Sequence, residues 1–265
     1  MVLAFPARIV ALPDSLNIPS ERIYWVSPNG DNSVARMGDS TRAWADPWTA
    51  VARAPDSSWI VVLPGHWTFG LPGFGAQYEI TAATQANLLK RSDLRFYFHA
   101  GAFIEKIGPF AGGNQPTGLF APLQAGHFEV HGSGTFWWDT EVYRHSICHI
   151  DHPEASLYFS AYEIRYGTYG CALYQFDTVR LQINRVRRIN CSVSTISLRH
   201  RGKQSNCYLE AHIKDYDNSP GDSDYSGIFS TRCCGSEVQF EESAFKIRID
   251  HLLKKDPLGS THAAL

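Results

Sequence analysis

The chain of 265 residues is short of three things: paired cysteines, helix signals and net charge. Its six cysteines, Cys148, Cys171, Cys191, Cys207, Cys233 and Cys234, contain no C-x-x-C spacing, and a bridge between the adjacent Cys233 and Cys234 would be strained. This excludes a small disulfide scaffold and points to free, mostly buried thiols in a reducing compartment. Lys plus Arg number 24 against 26 for Asp plus Glu, a net charge of -2, which argues against a general nucleic-acid binder or a polybasic membrane-surface protein. No apolar run nears the roughly 20 residues of a membrane span. The opening VLAFPARIVALPDSLNIPS is broken by Pro6, Pro13 and Pro19 and has no basic stretch ahead of it, so it makes a poor signal peptide and a better extended arm. Gly-rich phosphate loops, G-x-S-x-G elbows and H-E-x-x-H are missing too, which leaves nucleotide hydrolysis, serine-hydrolase and zincin chemistry without a foothold.

What is there is 44% hydrophobic and 13% aromatic with 19% charged residues, enough to bury a sizeable core in one domain. Two short helices are expected, one over Trp48 to Ala54 introduced by Asp46-Pro47, the other near Ala82 to Lys90. The rest is strand and turn. A unit of two apolar residues at period two recurs as Ile60 and Val62, Leu94 and Phe96, Phe128 and Val130, Leu157 and Phe159, Val179 and Leu181, Cys207 and Leu209, and Val238 and Phe240. A second short apolar unit often follows, as in Phe103-Ile104, Thr135 to Trp138 and Val186 to Ile189. Repeats of this length made only of short strands describe a coil of stacked parallel strands. A β-sandwich also has short alternating strands, but Asn-Gly hairpin signals are nearly absent, the one example being Asn29-Gly30. In FDTVRLQINRVRRINC, Asn184 and Asn190 stand where a left-handed bend would turn a coil corner. Leu181 and Leu209 are expected at the same inward position of neighbouring coils.

The segments IYWVSPNGDNSV and DPWTAVARAPDSSWIVVLPGHWTF resemble the entry of right-handed parallel β-helix proteins of the pectate-lyase-like class. There a strand ending in SPNG leads to a capping helix and a first coil of the form I-V-V-x-P-G-x-Y, with Trp67 here in place of Tyr. FYFHAGAFIEK and FEVHGSGTF also resemble its coils, with Gly132 and Gly134 at a tight bend. The resemblance covers roughly residues 22–250 and implies an all-β fold, a right-handed single-stranded parallel β-helix of about seven to nine coils with a short N-terminal capping helix. Residues 1–21 would be the arm and 251–265 a tail. The class includes polysaccharide lyases and hydrolases, bacteriophage tail spikes and fibres, and surface adhesins, so the likeness speaks to fold rather than activity.

Glycan hydrolysis needs clustered carboxylates, one to protonate the leaving oxygen and one to activate water or stabilise the cationic sugar. The candidates are Asp215, Asp217, Asp222 and Asp224 in DYDNSPGDSDYSG, which a solvated Pro- and Gly-bent loop explains equally. A calcium loop fits worse, because Pro220 sits where the glycine turn belongs. A lyase would need a base such as Arg199, Arg201 or Lys203, which a solvated turn also explains. His145, Cys148, His149, Asp151 and His152 form the densest ligand-type cluster, but on a strand they divide between two faces, which weakens a metal site at His145 and His149. No catalytic residue, metal or cofactor is therefore expected.

Aromatic residues are the surplus. Trp137 and Trp138 are adjacent and must point to opposite faces of a strand, while Tyr158, Tyr162, Tyr166, Tyr169 and Tyr174 follow. Trp137, Trp138, Tyr162 and Tyr166 are the expected ligand contacts, stacking sugar rings or meeting a partner subunit. The functional expectation is a non-enzymatic fibre, spike or decoration subunit of a virion or surface appendage, assembled in the cytoplasm. It would be a homotrimer docked through residues 1–21 and could bind a surface glycan. A β-helix polysaccharide lyase or glycoside hydrolase is the alternative.

Overall fold

Ladders of short strands dominate the computed structural model, which describes residues 16, 18–70, 78–79, 92–107, 117–120, 124–138, 145–166, 169–188, 194–198, 202–217, 227–230, 232–233 and 236–253. The longest ladder has eight strands: β1 (Ile23–Val26), β2 (Trp59–Val62), β5 (Asp93–Phe98), β8 (Gly126–Gly132), β11 (Ala155–Tyr166), β13 (Thr178–Arg188), β16 (Tyr208–Asp217) and β20 (Ala244–Leu253). Each pairs in parallel with the next. A second row, β3 (Gly65–Gly70), β6 (Ala102–Ile107) and β9 (Thr135–Trp138), is also parallel, with β4 (Tyr78–Glu79) on the outer side of β3. The rows meet at β11, whose first half pairs with β8 and whose second half pairs with β9. A separate parallel sheet runs β7 (Thr117–Phe120), β10 (His145–Asp151), β12 (Tyr169–Gln175), β14 (Ser194–Leu198) and β17 (Gly227–Ser230). In the last group β15 (Gly202–Ser205) lies parallel to β19 (Ser236–Glu241), and β18 (Arg232–Cys233) makes the one antiparallel pairing among the described residues.

Period-two alternation explains why these segments are strands and which way they face. Tyr24, Ile60, Phe96, Val130, Phe159, Leu181 and Ala211 stand in register on successive strands and are all buried, while their neighbours Arg180 and Gln182 are exposed. Each large apolar member of this row contributes about 1.5 to 3 kcal/mol by burial. The helix α1 (Pro47–Arg53) begins as Asp46 accepts a hydrogen bond from the Thr49 amide at 2.8 Å, with proline at its first position. It buries Ala50 and Val51 in the same core and packs against β1 and β2. The expected second helix, Ala82 to Lys90, lies outside the described residues.

The expected register differs from the observed one in three places. Ile60 pairs with Phe96 rather than Leu94. Leu209 pairs with Val179, and Leu181 with Ala211, so the two leucines are inward but one pair out of step. Val238 and Phe240 belong to β19, and the eighth ladder strand is β20. Two-residue shifts keep every side chain on its own face, so a period-two pattern cannot distinguish them.

The bend is also built differently. Asn190 lies outside the described residues, and Asn184 is absent from the left-handed region, where the described non-glycine residues are Ser57, Asn206 and Glu242 at φ 64°, 58° and 50°. Each precedes a ladder strand by two residues. Within β11, β13, β16 and β20 the pairing instead skips one position: Ala161, Ile183, Ile213 and Ile249 pair in a row, as do Glu163, Arg185, Asp215 and His251. Tyr162, Asn184, Lys214 and Asp250 are left between those rows. Gly132 does stand at a tight bend, with φ 99° and a position where a Cβ would lie 2.0 Å from the Phe98 carbonyl oxygen. At the other end of the ladder, Leu16 and Ile18 pack on the outward Ile23, Trp59 and Val61, so the end of the expected arm covers an apolar outer patch.

Candidate functional site

Skipping one pair at the bend opens a cleft on the outward side of the longest ladder. It has a volume of about 350 Å³ and is lined by Gly132, Tyr158, Ser160, Ala161, Gln182, Ile183, Asn184, His212 and Lys214. Ser160, Gln182 and His212 occupy one outward row of register, and Tyr158 stands on the next. The Tyr158 hydroxyl donates to Gln182 Oε1 at 3.1 Å, and the His131 ring lies 4.6 Å away, which together set the ring as a wall. Ser160 is committed to the carbonyls of Val130 and Gly132 at 3.3 and 3.2 Å. His212 meets Asp250 at 2.9 Å, and Arg248 donates to the same carboxylate at 2.8 Å. These two partners hold the Asp250 carboxyl below the ordinary value, the hydrogen bond from His212 contributing most. Among the described residues, no carboxylate lines the cleft.

A second cluster lies past the bend. Trp137 of β9 donates its indole N–H to Glu163 of β11 at 3.2 Å, and Arg165 sits 4.7 Å above the indole ring. Glu163 is buried, and Arg185 and Arg187 reach it at 3.8 and 3.4 Å. Phe103 meets Trp137 edge-on at 4.7 Å and stacks on His66 at 4.4 Å, making an aromatic stripe across β3, β6 and β9. Trp137 is thus an outward aromatic residue, as expected, but it is bound into a charge network that sequence reading missed. The signal was present in the alternate arginines of RVRR and the E-x-R of YEIRY, which period two places on the outer face.

The other expected contacts separate. Tyr162 is 50% exposed, at the skipped position of the bend. Trp138 and Tyr166 are in register at the ends of β9 and β11, but their side chains lie outside the described part. Asp222 and Asp224 also lie outside the described residues. Asp215 and Asp217 are not in a loop: β16 extends through both, aligning them with Arg185 and Arg187, and Asp215 meets His251 at 3.0 Å. Lys203 is in β15, while Arg199 and Arg201 lie outside the described residues.

Of the histidine and cysteine cluster, Cys148 points into the core beside Cys171 on the neighbouring strand, where burial pushes its thiol well up. His149 is buried with its ring 4.8 Å from Tyr174, and the side chain of His145 lies outside the described part. Cys148, Cys171 and Cys207 are free thiols. His127 and His131 both reach Glu129, at 3.0 and 2.6 Å, from two residues either side of it on β8. The two rings thus grip one carboxylate between them. No group of three ligands able to hold a metal occurs among the described residues. Comparison of the chain with protein-family models, curated proteins and solved structures found no match.

Proposed function

We propose that the ladders are the faces of a right-handed, single-stranded parallel β-helix, and that the protein is a non-enzymatic structural and recognition subunit of a virion or surface appendage. The observation that carries the recognition role is the outward cleft at the strand bend, which offers an aromatic wall, amides, an imidazole and an ammonium group but no carboxylate pair. Such a set suits sugar hydroxyls and a ring face, whereas glycoside hydrolysis requires two acids flanking the bond. A stack of eight parallel strands spans about 34 Å at the strand spacing, a stiff element in which every inward residue is packed above and below. The open edges at the two ends of such a stack favour burial between copies, and the assembly we propose is a homotrimer.

The test is to purify particles from the native source and ask whether the protein sediments with them, while measuring its mass by light scattering and its action on acidic and neutral polysaccharides. Particle association, a trimeric mass and no release of new chain ends are expected. Chain cleavage that disappears in Asp222→Asn with Asp224→Asn would replace this reading by the polysaccharide lyase or hydrolase.

A further inference from the structure

The cleft holds two polar groups that the fold leaves uncommitted. Tyr158, Ser160 and His212 are each held by a named partner, and Gln182 accepts the tyrosine hydroxyl. Asn184 and Lys214 line the same cleft, and among the described residues neither side chain makes a hydrogen bond or ion pair. Both stand at the skipped position of the bend, on adjacent strands, so the feature that opens the cleft also frees them. The nearest carboxylate in that column, Asp250, is already paired with Arg248 and hydrogen-bonded to His212. The cleft therefore carries the unbalanced charge of the Lys214 ammonium.

Resting on the recognition role above, we propose that this cleft takes an acidic oligosaccharide. The ammonium of Lys214 meets a carboxylate or sulfate on one sugar, the amides of Asn184 and Gln182 meet hydroxyls, and the ring of Tyr158 packs against a sugar face. Lysine brings a compact charge on a flexible stem and does not demand the two-pronged geometry of an arginine site, which fits an anion at the mouth of an open cleft. At about 350 Å³ the space lies at the small end of ligand sites and matches a short stretch of glycan. An acidic peptide is the less fitting occupant, because its carboxylate side chains offer no ring face for Tyr158 to pack against.

The experiment uses the full chain on immobilised uronate-, sialate- and sulfate-bearing oligosaccharides, each beside its carboxyl-reduced or desulfated counterpart, with a poly-glutamate peptide as a further arm. At least one acidic glycan should bind about tenfold more tightly than its neutral counterpart, the scale of one charged hydrogen bond. Lys214→Gln should abolish the preference for acidic over neutral glycan, Lys214→Arg should keep most of it, and Tyr158→Ala should weaken binding of both. The preference should fall as salt rises. Equal binding of acidic and neutral glycans, or a preference that survives Lys214→Gln, would overturn the acidic site while leaving the recognition role standing. Binding of poly-glutamate alone would overturn the sugar assignment. Particle association with no binding of any glycan would confine the protein to its structural role.

Discussion

Trp137 and Glu163 meet diagonally across β9 and β11, the indole N–H 3.2 Å from the carboxylate that Arg185 and Arg187 also approach. Removing the acid leaves an indole donor and two guanidinium groups gathered around nothing. Because the arginines are partly exposed, water relieves part of that loss. Glu163→Ala should cost about 1 to 3 kcal/mol, and Glu163→Gln, which keeps an acceptor for the indole, less. Urea midpoints of the two variants check this.

The inward row makes a sharper contrast. Leu181 is packed between Phe159 and Ala211, so Leu181→Ala should cost about 2 to 5 kcal/mol through lost burial and a cavity. Gln182→Ala on the outer face should stay within about 0.5 kcal/mol. The same denaturation series measures both, and equal costs would contradict the assignment of faces.

Two glycines with positive φ separate strain from space. At Gly101 (φ 84°) a Cβ would find Pro64 at 3.5 Å, ordinary contact, so Gly101→Ala should cost only the left-handed penalty of about 1 to 2 kcal/mol. At Gly132 (φ 99°) the Cβ would collide with the Phe98 carbonyl, and Gly132→Ala should lower stability well beyond that or prevent folding. Thermal melting of the two variants side by side gives the comparison.

Acid sensitivity should trace to Glu129. Partial burial opposes its ionisation, but the hydrogen bond and charge of His131, with His127 and Arg95, outweigh it and hold the carboxyl below its ordinary value of 4.5. A carboxyl lowered in the folded state adds stability above its unfolded value and loses it as pH falls through the folded one. The stability gap between the wild type and Glu129→Gln should therefore be present above 4.5 and close as pH drops below it. Denaturation curves at stepped pH measure it.

The sequence made the strand segments and their faces legible because alternation at period two is printed directly in residues such as Leu157, Phe159, Val179 and Leu181. It also marked α1, through Asp46 and Pro47. It did not separate Leu181 beside Leu209 from Leu181 beside Ala211, since both put leucine inward and loop length alone decides between them. The cleft was hidden for a related reason. Gln182, Asn184, His212 and Lys214 are ordinary surface residues until the register brings β13 beside β16 and drops one pair at the bend. Asp215 and Asp217 misled because a run of acids, Pro and Gly reads as a loop from the point where the strand has yet to end.

The 22-residue step from Leu157 to Val179 is the shortest between consecutive strands of the long ladder, and it includes β12 of the separate parallel sheet. In the β-helix proposed above, this step would be a cassette. A second copy of residues 157–178 inserted at that point would present to each neighbour the inward and outward faces it already meets. The molecule could then grow by one strand spacing at a time, so that its length is a quantity set by tandem duplication rather than by redesign of a core.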